Sequence, residues 1–123
     1  MASGRNARPG RVAAASTDGV TVDLHFGQAQ EFYIYDVDES GWRFVERRDI
    51  RRTFGHDPAE FDKVRLMLDD CEAVLVSRIG PVAAEYLLEK GLRVFQVPYP
   101  VAAVLERLGE LGILGKESED EKT

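Results

Sequence analysis

The sequence predicts a three-layer α/β domain of the ribonuclease H-like type, built on a mixed five-stranded sheet in the order 3-2-1-4-5. Three observations predict it. Two aromatic-rich runs meet at a glycine turn in the first half of the chain. Short, near-continuous apolar runs in the second half alternate with segments of helical spacing. The whole pattern fits in 123 residues, the size of one domain.

The elements follow in order. "RVAAAS" (Arg11–Ser16) is a short apolar run closed by the turn formers "TDG", a first strand. "EFYIYDVDE" (Glu31–Glu39) and "WRFVERRDI" (Trp42–Ile50) are rich in aromatic and β-branched residues around "ESG", the pattern of a β-hairpin. "DPAEFDKVRLMLDD" (Asp57–Asp70) opens with Asp57 as an N-cap and Pro58 at the first helical position, and it places Phe61, Val64 and Leu68 on one face. "EAVLVS" (Glu72–Ser77) has the unbroken apolar character of a buried parallel strand. "GPVAAEYLLEKG" (Gly80–Gly91) is helical with Gly91 as its C-terminal cap, and "LRVFQV" (Leu92–Val97) is a fifth strand. Val101, Val104, Leu105, Leu108 and Leu111 then trace the apolar stripe of a last helix. The order β-β-β-α-β-α-β-α, with right-handed crossovers, closes compactly when the hairpin forms the antiparallel side and helices cover both faces.

Composition narrows the function. The chain is 44% hydrophobic and 31% charged, which is globular. A formal charge of −6 argues against nucleic-acid binding, which rests on clustered Lys and Arg. The one local exception, "ERRDIRR" (Glu46–Arg52), interleaves its four arginines with Glu46 and Asp49 and reads as a solvated face rather than a phosphate or partner patch. A single cysteine allows neither an intrachain disulfide nor a thiolate metal site. No apolar run reaches the ~20 residues that span a bilayer, and the N-terminus has no hydrophobic signal region, so a cytoplasmic location without membrane contact is expected. Residues 1–10 read as a flexible lead-in, 11–115 as the folded unit and 116–123 as an acidic disordered tail.

In an open α/β sheet the ligand crevice lies beyond the carboxyl ends of the parallel strands, where strand order reverses. Here that position falls between the segments after the first and fourth strands. "STDGVTVDLHFGQ" (Ser16–Gln28) supplies the longest loop at this end and carries His25. Cys71 precedes the fourth strand and belongs at the opposite end, where it reads as a small buried hydrophobe first and a metal ligand second. His56 lies just before a helix, as a cap or a solvent-facing residue. Ribonuclease H-type nucleases need converging carboxylates, one of them inside the first strand; "RVAAAS" has none, and Glu72 sits at the wrong end of the fourth strand. No GxSxG elbow, phosphate-binding P-loop or HExxH is present. What remains is a binding site. Gly27 and Gly80 would let backbone N–H groups approach an anion, Arg78 would supply positive charge, and His25 would offer a nitrogen to a soft transition metal. Phe26 reads as a core anchor. Asp18–Gly19 is a turn signal first and an anion-cradling loop second.

The runs "VAAASTDGVTVDLHFGQAQEFYIYDVD" and "LDDCEAVLVSRIGPVAAEYLLEKGLRVFQV" together resemble the dinitrogenase iron-molybdenum cofactor biosynthesis family, the NifX, NafY and NifB C-terminal-domain type. The resemblance covers about Arg11 to Leu108 and implies a ribonuclease H-like fold. It also implies a non-enzymatic protein of nitrogen fixation that binds or carries metal–sulfur clusters as an iron–sulfur or iron-molybdenum cargo. Its partners would be nitrogenase cofactor-assembly proteins or apo-dinitrogenase. Carried over residue by residue, the HFG histidine is His25, followed by Phe26 and Gly27; the RIG residues are Arg78 and Gly80, and "DC" is Asp70–Cys71. NifB-type relatives often place a cysteine after the third strand, where this chain reads "RRTFGHDPAEF", so His56 is the substitute candidate. One histidine is too little for a bare metal ion, which wants three or four protein ligands, yet enough to tether a preassembled cluster. Two other readings stay open: an interaction or regulatory module of an assembly complex that holds no metal, with Arg47–Arg52 and "VPYP" as its contact surface, and a small-anion or nucleotide binder using Asp18, Gly19, Gly27 and Arg78.

Overall fold

The computed structural model describes residues 10–51 and 58–114. Its strands are β1 (Arg11–Ala15), β2 (Glu31–Asp38), β3 (Gly41–Asp49), β4 (Ala73–Val76) and β5 (Arg93–Gln96); its helices are α1 (Pro58–Met67), α2 (Pro81–Glu89) and α3 (Val101–Leu111). The sheet order is β3-β2-β1-β4-β5, as the sequence predicts. β1 runs antiparallel to β2 and parallel to β4, and β5 is parallel to β4. Strand order therefore reverses at β1, which fixes the crevice beyond its carboxyl end.

The alternation of side chains along β1 divides the core. Ala13 and Ala15 face α1 and α2 together with Ile34, Val74, Val76, Val64, Leu68 and Leu87. Val12 and Ala14 face α3 with Tyr35, Val37, Leu75, Val101, Leu105 and Leu108. The small residues of β1 let helices on both sides approach the central strand closely. On α1 the expected stripe holds: Val64 is buried, and Phe61 and Met67 pack against the same core. Its expected cap, Asp57, lies outside the described residues. Gly91 (φ +89°) ends α2 by allowing the Leu92 N–H to reach the Leu87 carbonyl at 2.9 Å. Gly109 has a different purpose. A Cβ there would lie 2.8 Å from the Asp38 carbonyl oxygen, so glycine allows the last turn of α3 to close over the β2–β3 turn.

The hairpin carries one irregularity, a register shift at Ile34/Tyr35 that leaves Val45 as the extra residue of β3. β3 is an edge strand whose charges discourage pairing with another sheet. "ERRDIRR" is only partly a solvated face. Arg47 pairs with Asp49 at 2.7 Å on the surface, whereas Arg48 turns inward, bonding both Asp70 oxygens at 2.8 Å and the Met67 carbonyl at 2.9 Å. Arg11 bonds Asp36 at 2.8 Å and Asp70 at 3.0 Å. Asp70 thus ties β1, β3 and the end of α1 together at the amino end of the sheet.

Candidate functional site

The loop between β1 and β2 lies over the carboxyl end of the sheet, held there by its own backbone. It begins with a tight turn. The buried Ser16 hydroxyl donates to the Thr21 carbonyl at 2.6 Å and accepts from the Gly19 N–H at 2.9 Å. Asp18 Oδ1 accepts the Val20 N–H at 2.9 Å, and that bond holds the carboxyl below the usual carboxylate range. Gly19 has φ +79°, and a Cβ there would stand 2.9 Å from the Tyr33 ring. Asp18 and Gly19 therefore build the turn that the "DG" signal foretells. Gly19→Ala is expected to lower stability by about 1–2 kcal/mol, from the left-handed backbone and the ring contact, in a denaturant melt.

Beyond the turn the chain stitches itself across two connections. The Val101 N–H donates to the Val20 carbonyl at 2.8 Å and the Val22 N–H to the Tyr99 carbonyl at 3.0 Å, joining the loop to the β5–α3 segment. The Ser77 N–H then donates to the Leu24 carbonyl at 3.0 Å and the Phe26 N–H to the Arg78 carbonyl at 2.9 Å, joining it to the end of β4. His25 and Arg78 form a parallel bridge. His25 is extended (φ −77°, ψ 142°) and leads into a 3-10 turn over Phe26–Gln28.

Alternation sorts the HFG triplet. The Phe26 ring is buried and meets Phe61 of α1 at 6.1 Å between centroids; Phe61 in turn meets Tyr86 of α2 at 5.8 Å. His25 and Gly27 on either side are exposed. Phe26 is the core anchor its neighbours suggest, and it fixes the backbone from which the imidazole projects.

Beside this bridge an open cleft of about 530 Å³ is lined by Ser77–Pro81, Gln96 and Pro98. Arg78 and Gly80 are thus brought together with the His25 backbone. Gly80 caps α2 without a side-chain hydrogen bond, with Pro81 at the first turn, so the helix start lies against the cleft and favours negative charge there. A Cβ at Gly27 or Gly80 would meet nothing within 4 Å, so the space before both is open. Gln96 escaped the sequence reading: its Oε1 accepts the Ile79 N–H at 2.9 Å and holds the Arg78–Gly80 turn. The available signal was a polar residue at the carboxyl end of β5, the end at which the crevice lies. The Ser77 Oγ is buried with no partner among the described residues.

Cys71 lies at the opposite end of the sheet, just before β4, packed partly against the core. Burial pushes its thiol well above the ordinary range, with the Asp70 carboxylate adding to the effect, so it is a poor thiolate. His56 lies outside the described residues. Among the described residues no group of three or more His, Cys, Asp or Glu could hold a metal ion. One exposed imidazole beside an arginine-lined cleft suits a preassembled anionic group bound at one point, and it does not suit a bare ion.

Fold and site together define a three-layer α/β domain whose accessible carboxyl end presents a histidine and an arginine. The chain belongs to the dinitrogenase iron-molybdenum cofactor family, whose profile matches residues 9–111. It is 31% identical to the protein NifX of Rhodobacter capsulatus over 110 residues, covering 82% of this chain and 69% of that one. It is 36% identical over 92 residues to the FeMo cofactor biosynthesis protein NifB of Frankia alni, covering 70% of this chain but only 18% of that longer protein. In fold it is similar to the crystal structure of PH0822, with a TM-score of 0.65 at 22% identity over 88% of this chain and 96% of that one. No described helix is long and apolar enough to cross a membrane.

Proposed function

We propose that this chain binds a preassembled metal–sulfur cluster, the iron-molybdenum cofactor or its iron–sulfur precursor, as transient cargo in nitrogenase cofactor assembly. His25 is the ligand. The observation that carries this reading is the exposed imidazole on a backbone pinned between Arg78 and the buried Phe26, with open space and an arginine-lined cleft beside it. Sulfide fills the remaining coordination sites of such a cluster, so one protein bond is sufficient. A single bond also releases readily, as a carrier needs. Arg78 and the start of α2 offset the negative charge of the cargo. The chain carries out no bond-making chemistry on it. Membership of this family supports the setting: a protein of the cytoplasm that exchanges cargo with cofactor-assembly proteins or apo-dinitrogenase.

Anaerobic titration with isolated iron-molybdenum cofactor, followed by visible absorption, tests the assignment. His25→Ala is expected to weaken binding at least about tenfold, the loss of one metal bond partly made good by solvent. Equal binding by the two proteins overturns the ligand assignment.

A further inference from the structure

We propose that Gln96 is a second recognition residue for the cargo: its Nε2 donates to a negatively charged acceptor atom of the cluster, while its Oε1 holds the turn that presents Arg78. The inference rests on the carrier reading above and concerns how the cleft selects what it holds. The parallel pairing of β4 and β5 sets Gln96 beside Val76, the last residue of β4, and so at the root of the Ser77–Pro81 connection. There its Oε1 accepts the Ile79 N–H at 2.9 Å. A backbone N–H can be met only by the oxygen of a side-chain amide, so this one bond fixes which way the amide faces. The Nε2 then carries two hydrogens that, among the described residues, reach no protein acceptor. Gln96 is exposed and lines the cleft of about 530 Å³ together with Arg78, so those hydrogens are available to whatever enters it.

The turn by itself does not ask for an amide. A glutamate would accept the Ile79 N–H at least as well, since a charged acceptor makes the stronger bond. What glutamine adds is a pair of donors in place of a negative charge. The rest of the cleft has the same polarity. Its lining residues include one arginine and no carboxylate, in a chain whose formal charge is −6. Arg43, Arg47 and Arg107 on the surface each pair with an acid, whereas Arg78 forms no ion pair among the described residues. A guanidinium and a fixed amide donor, with no carboxylate in the lining, favour a negatively charged ligand and disfavour a cation. In this arrangement His25 supplies the metal bond and Gln96 reads the charge of the cluster around the metal.

The test is anaerobic titration of the full chain with isolated iron-molybdenum cofactor, comparing wild type with Gln96→Met and Gln96→Glu. Hydrogen exchange of the Ile79 amide is followed in the same three proteins without cluster. Both variants should fold, since Gln96 is exposed. Gln96→Glu keeps an oxygen for the Ile79 N–H, and Gln96→Met keeps neither that oxygen nor the donor. The Ile79 amide should therefore stay protected in Gln96→Glu and exchange at least about tenfold faster in Gln96→Met. Cluster binding should follow the opposite order, about tenfold weaker in Gln96→Met and at least about fiftyfold weaker in Gln96→Glu. Binding by Gln96→Glu that equals wild type, or that is tighter than binding by Gln96→Met, overturns the donor role. It leaves Gln96 as a brace for the turn and the carrier reading standing. Loss of Ile79 protection in Gln96→Glu overturns the amide orientation on which the donor depends. No cluster binding by wild type overturns the carrier reading and this inference with it.

Discussion

Phe26→Ala is expected to lower the stability of this protein by about 3–4 kcal/mol, read as a shift of the denaturation midpoint at unchanged slope. The ring is 1% exposed and sits where the β1–β2 loop meets α1. Its removal leaves a cavity that Phe61 cannot fill without leaving Tyr86. The melting temperature should fall by roughly 10–20 °C for a domain of this size. On the proposed carrier reading, a second consequence separates the anchor from the proposed ligand. Where the variant is still folded, cluster binding should weaken even though the imidazole is intact, because His25 loses the fixed backbone beside it. Phe26→Leu should recover most of both properties. A loss below about 1 kcal/mol for Phe26→Ala would show that the loop is held by its backbone bonds to Arg78 and Tyr99 alone.

Asp70→Asn is expected to cost about 2–3 kcal/mol, less than a fully buried ion pair because the carboxylate keeps some contact with water. Its two arginines keep other partners, Asp36 for Arg11 and Glu46 for Arg48. The loss is therefore the tie between strands and helix rather than two orphaned charges. Arg48 chiefly, with Arg11 beside it, holds the Asp70 carboxyl well below its ordinary range. Since the folded value lies below the unfolded value of about 3.9, this contribution is fully present above that value and disappears as pH falls through the folded one. Wild-type stability should thus decline steeply with acid below about pH 4, and Asp70→Asn should flatten that decline. Parallel curves for the two proteins would remove Asp70 as the acid-sensitive tie.

The placement of the candidate site is legible in the sequence because it depends on chain direction. Once β1 and β4 are read as parallel strands, the HFG and RIG segments must meet at one end and Cys71 must lie at the other. Arg48 was harder to place. Read locally, "ERRDIRR" is alternating surface charge, yet the bulge at Val45 and the end of α1 give Arg48 a partner 22 residues away in Asp70. Gln96 and the stitching of Val20–Phe26 to two connections were likewise invisible. Hydrogen bonds of the main chain leave no trace in side-chain pattern when the segment is neither a regular strand nor a helix.

Hydrophobic period and turn chemistry, both local, were enough to determine from the sequence alone the strands, the helices, their order in the sheet and which loops share an end. Only the tertiary structure decided which side chains at that end stand free. His25 is exposed because Phe26 beside it is buried, and Asp18 is absorbed in a turn while Arg78 lines a cleft. Those outcomes depend on contacts between residues far apart in the chain, whose geometry exists only once the loop has closed over the sheet.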